Sequence, residues 1–120
     1  MSAVLENKLG NIIYTDDYIA SLVGITATEC YGVVGMASQQ KMADGISELL
    51  GRDNLKRGVK IHTNEDHSLR IDLFIIVQYG ISIVASSNSI IETVKYSIEK
   101  ATGLMVNEIN VIVSGIRVHK

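Results

Sequence analysis

The sequence predicts an α+β fold: a two-layer sandwich of one mainly antiparallel sheet with two long helices packed on one face. Three observations carry that reading. Helical periodicity occupies two separate stretches, the segment 59–79 alternates like a β-hairpin, and short apolar runs near both ends read as strands. A chain of 120 residues with 47% hydrophobic residues can bury about two-thirds of its unfolded surface in one core, so 1–120 is read as a single domain.

The segment Gly10-Asn11-Ile12-Ile13-Tyr14 is β-prone and opens the fold as a strand. A helix follows, capped by Thr15, with Asp16 and Asp17 in the first turn where the helix dipole favours carboxylates. Ile19, Leu22, Val23, Ala27 and Cys30 form its apolar stripe, and Gly32 is expected as the left-handed stop. Gly24 lowers helix propensity by about 1 kcal/mol relative to Ala, which close packing against a neighbour would explain. Val33-Val34-Gly35-Met36 reads as a short strand, and Asp44 caps a brief helix carrying Ile46, Leu49 and Leu50. The residues 51–58 read as a polar loop bounded by glycines.

In the hairpin, Val59, Ile61 and Thr63 alternate with Lys60 and His62. In the second arm Leu69, Ile71, Leu73, Ile75, Val77 and Tyr79 take one face; Arg70, Asp72, Phe74, Ile76 and Gln78 take the other. A second long helix is predicted over 82–102, with Val84, Ile91, Val94, Ile98 and Ala101 inward and Gly103 as its stop. The last strand, 109–118, changes apolar phase after Gly115, which predicts a bulge there.

Net charge of −2 argues against broad electrostatic binding of nucleic acid or anionic lipid. A single cysteine permits no internal disulfide and suits a reducing compartment. The first residues lack the basic start and apolar run of a secretory signal. The uncharged stretch 73–91 is long enough to span a bilayer, but Gln78, Gly80 and four serines interrupt it, so direct membrane insertion is not expected.

Chemistry-bearing constellations are weak. No Gly-x-Ser-x-Gly elbow and no phosphate-cradling glycine motif occurs. Cys30 on an apolar stripe is read as a small buried hydrophobe. His62, His67, Glu65 and Asp66 around the hairpin tip lack a fourth firm metal ligand, and His119 lies beside the C-terminus. Gly32-Val33-Val34-Gly35 has the spacing of a nucleotide-clamping loop, yet its central valines are apolar where such a clamp carries polar residues. Catalytic, metal and cofactor sites are therefore expected to be absent.

Surfaces offer more. Phe74 and Ile76 stand on a sheet face that should otherwise be polar, and Met36, Met42, Ile46 and Leu49 form an adaptable apolar set; together these six are the candidate interaction surface. Arg52, Lys56 and Arg57 form a candidate basic loop.

Cys30-Tyr31-Gly32-Val33-Val34-Gly35-Met36-Ala37, Gly58-Val59-Lys60-Ile61, Val77-Gln78-Tyr79-Gly80, and Thr102-Gly103-Leu104 followed by Val111-Ile112-Val113-Ser114-Gly115-Ile116 together resemble the alkaline shock protein family of Gram-positive bacteria, proteins of the envelope stress response. The Cys30-Tyr31-Gly32 and Gly35-Met36-Ala37 pieces are similar to its small stand-alone subgroup, often encoded beside a fatty-acid kinase. The resemblance implies a cytoplasmic, non-enzymatic structural or adaptor protein that self-associates, in some members beside a membrane-anchored partner protein. It implies no catalytic or ligand residue. Two other readings are an RNA-binding module using 32–35 and the basic loop, and an accessory protein of fatty-acid or phospholipid metabolism.

Overall fold

The computed structural model describes residues 2–39 and 49–118, without the side chains at 52 and 53. The predicted cap at Asp44, the candidate surface residues Met42 and Ile46, and His119 lie outside the described residues. Among the described residues two α-helices, a 3₁₀ helix and two mostly antiparallel sheets make an α+β fold.

The chain opens with a hairpin rather than one strand: β1 (Ser2–Asn7) pairs antiparallel with β2 (Gly10–Thr15), from Ser2 opposite Thr15 to Asn7 opposite Gly10. β1 escapes a local reading because only Ala3 of its six residues is buried, so no alternation marks it. Helix α1 (Asp16–Thr28) starts as its cap dictates, with Thr15 Oγ1 accepting from Tyr18 N–H at 3.2 Å. Ile19, Val23 and Ala27 of the expected stripe are buried. The helix stops at Thr28, four residues before Gly32, because Glu29 and Cys30 N–H turn onto the Thr26 and Ala27 carbonyls in a tightened last turn. Gly32 keeps a left-handed φ of 86° in the turn that follows. A Cβ on Gly24 would sit 3.0 Å from Leu55 Cβ, which is the close approach its presence in a helix required.

After β3 (Val33–Met36) the predicted polar loop proves to be a 3₁₀ helix, Arg52–Gly58, packed against α1 through Leu55. The hairpin β4 (Val59–Thr63) and β5 (Leu69–Gln78) matches expectation, with Val59 opposite Leu73 and Thr63 opposite Leu69. Helix α2 (Ile83–Thr102) runs from the Ser82 cap to Gly103, whose φ is 77°. Its inward face differs from the predicted one. Ser86, Ile90, Val94, Ile98 and Thr102 are buried, whereas Val84 and Ala101 are exposed. Two small polar residues complete the stripe because their hydroxyls are bonded: Ser86 donates to the Tyr31 carbonyl at 2.9 Å and Thr102 to the Ile98 carbonyl at 2.7 Å.

β6 (Val106–Arg117) runs parallel to β5 along its whole length, so β3 and β4 share the other edge of β5, against residues 75–77 and 69–73 respectively. Ile75 faces Val113 and Ile76 faces Gly115, leaving Ser114 as the extra residue of the expected bulge. The odd-numbered side chains of β5 and the buried residues of both helices belong to one core, joined by Ala3, Met36, Leu50, Val59 and Ile109. Among the described residues no helix is long and apolar enough to cross a membrane.

Candidate interaction surfaces

The even-numbered residues of β5 and the neighbours they meet build the sheet face that excludes the main core. One end of it is polar. Arg70 stands between His62 and Glu108, and Asp72 between Lys60 and Asn110. Asp72 gathers this end: His62 Nε2 and Arg70 each lie 3.7 Å from its carboxylate, and Asn110 Nδ2 donates to it at 2.9 Å.

The other end is apolar. Phe74 is half-buried beside Ile112, which is 37% exposed. Ile76 is fully buried, which corrects its assignment to an open surface. Its cross-strand neighbours are Gly35 and Gly115, and Leu49 leans over Gly35 so closely that a Cβ there would lie 2.7 Å from Leu49 Cδ1. Met36 is likewise corrected, since it is fully buried in the main core. Of the described members of the predicted apolar set, the structure therefore brings Phe74, Ile76 and Leu49 to one face and leaves Phe74 and Leu49 reachable. Ile112 belongs with them, and its alternation opposite Phe74 was the signal that could have found it.

Of the predicted basic loop, the Arg52 side chain lies outside the described residues. Lys56 and Arg57 are exposed on the 3₁₀ helix, and Lys56 Nζ is engaged by Asp17 at 3.3 Å. Val33 and Val34 belong to β3, with Val33 packed on the core, so 32–35 serves the sheet and not a solvent-facing clamp. Cys30 is half-buried, and burial raises its thiol above the ordinary range. At the hairpin tip, Asp66 accepts from Ser68 Oγ at 2.6 Å and Ser68 N–H at 3.0 Å, and these bonds hold its carboxyl below the usual range. Its role is to close the turn in which His67 takes a φ of 67°. No group of three or more His, Cys, Asp or Glu among the described residues is placed to hold a metal ion. A shallow pocket of about 190 Å³ at the start of α2 is lined by Tyr31, Ile81, Ser82, Ala85, Ser86 and Ser89. Its Ser82 and Ser86 hydroxyls already serve the helix cap and the Tyr31 carbonyl.

Where α2 meets β6, sequence reasoning missed a polar clasp. Glu99 accepts from Val106 N–H at 2.9 Å, Lys95 Nζ donates to the Val106 carbonyl at 2.9 Å, and the two side chains join at 2.8 Å. The bond from Lys95, then that from Val106, holds the Glu99 carboxyl below its ordinary range. The i,i+4 spacing of Lys95 and Glu99 was legible; their target was not.

These features define a small α+β protein with an apolar patch on an otherwise polar sheet face. The model of the alkaline shock protein 23 family, of cell envelope-related function, matches residues 4–118, and the chain belongs to that family. It is 39% identical to the uncharacterised protein YloU of Bacillus subtilis over 118 residues, 98% of each chain. It is 37% identical to the uncharacterised protein Spy1614 of Streptococcus pyogenes over 118 residues, 98% of this chain and 97% of that one. YqhY of Bacillus subtilis is 31% identical over 112 residues, 93% of this chain and 81% of its own. No solved structure matches the chain significantly.

Proposed function

We propose that this protein is a non-enzymatic adaptor of cell-envelope physiology, working in the cytoplasm through contacts with copies of itself and with a membrane-anchored partner protein. In this reading the domain is a two-layer sandwich: both helices back one face of the sheet and the opposite face is turned to other proteins. The observation that carries it is the pairing of half-buried Phe74 with exposed Ile112 beside Leu49, which is 44% exposed, on the face away from the main core. Apolar side chains clustered on one face of a sheet are the signature of a surface that is covered in use. Membership of an envelope-related family agrees with that role.

Light scattering over a wide concentration range tests it, with Phe74→Asp as the probe. The native protein is expected to associate, and the variant to associate less while its circular dichroism is unchanged. A native protein that stays monomeric throughout ends the self-association part. Co-purification from native cells that recovers no membrane protein ends the partner part.

A further inference from the structure

We propose that two copies join through β6, whose free edges pair antiparallel about a two-fold axis at Ile112 to continue the sheet from one molecule into the next. The inference rests on the self-association reading and adds to the face of Phe74 and Ile112 a second contact, the β6 edge that borders it. Among the described residues β6 pairs with β5 alone, so its other edge is open. Long apolar edges without proline or a central charge are what soluble proteins ordinarily avoid, and this strand has twelve residues with Ile112 and Val113 at its middle.

The backbone shows which residues present that edge. Leu69 N–H donates to the Met105 carbonyl and Tyr79 N–H to the Arg117 carbonyl, both at 2.9 Å, so the odd residues of β5 exchange bonds with β6. In a parallel ladder the β6 residues level with them, namely Val106, Ile109, Val111, Val113 and Ile116, turn their own N–H and C=O outward. Val106 bears out the direction, because its outward groups are the ones Glu99 and Lys95 hold. That clasp closes the first position; of the next four, Ile116 has its carbonyl held by the guanidinium of the adjacent Arg117 at 3.1 Å, a bond that pairing must displace.

Those four are self-complementary. Pairing about Ile112 sets Val111 against Val113 of the second copy and Ile109 against Ile116, each pair with both residues facing outward, as an antiparallel ladder requires. On the polar-ended face Glu108 then meets Arg117 of the second copy, twice over. The bulge makes this work. Without the extra residue at Ser114, Glu108 and Arg117 would fall on opposite faces; with it, they align with Arg70 and Gln78 on the same face.

Charge reversal gives the test. Glu108→Lys and Arg117→Glu are each expected to raise the dimer dissociation constant about tenfold, since two symmetric cross-strand pairs turn repulsive, and the double variant to recover most of the loss. In a Cys30→Ser background, Ile112→Cys is expected to form a disulfide-linked dimer under mild oxidation, because a non-hydrogen-bonded antiparallel pair holds Cα atoms about 4.5 Å apart. Asn110→Cys, about 13 Å from its copy in this register, is expected not to. The cross-link is made in folded native-like protein, so it also decides the matter if the charge variants fail to fold. Association that survives all three charge variants unchanged, with no Ile112 cross-link, overturns the edge pairing and leaves self-association standing. A protein that never associates overturns both.

Discussion

Replacing Ile76 with Ala decides whether this side chain is part of the fold or part of a contact. The residue is fully buried although it lies outside the main core cluster, with Gly35 and Gly115 beside it. Ile→Ala removes three carbons, about 2.4 kcal/mol of transfer free energy, and the cavity term brings the expected cost to about 3 kcal/mol. For 120 residues the unfolding entropy is about 0.25 kcal/mol/K, so the melting temperature should fall by about 12 °C. Urea unfolding followed by circular dichroism at several protein concentrations measures it. A loss of about 3 kcal/mol that is the same at every concentration places Ile76 in the fold of one molecule. If the loss is below about 0.5 kcal/mol, or appears only where the protein associates, the burial argument is wrong.

Glu99→Gln probes the clasp on Val106. The folded carboxyl titrates below its unfolded value, so its contribution is present above the unfolded pKa of about 4.3 and disappears as pH falls through the lower folded value. The variant should be about 1 kcal/mol less stable at neutral pH, with the gap closing in acid; a gap that is constant with pH refutes the assignment. Gly58→Ala brings a Cβ within 2.7 Å of the Ala37 carbonyl and 2.9 Å of Met36 Cβ, and should cost about 1–3 kcal/mol in urea unfolding. Thr15→Ala removes the acceptor for Tyr18 N–H and should cost about 1 kcal/mol, read as a lower melting temperature with unchanged helix content.

Elements whose signals are local could be read from the chain alone. Thr15 caps α1 and Gly103 stops α2 because each acts on its own backbone within a few residues, and alternation placed the 59–79 hairpin and the bulge near Gly115. Packing settled what depends on partners distant in the chain. β1 exists because β2 lies against it, Ser86 is buried because the Tyr31 carbonyl receives its hydroxyl, and Ile76 is buried on the face where Leu49, distant in the chain, lies over its neighbour Gly35. Periodicity reports how apolar a face is, but only the assembled chain fixes which part of that face remains in water.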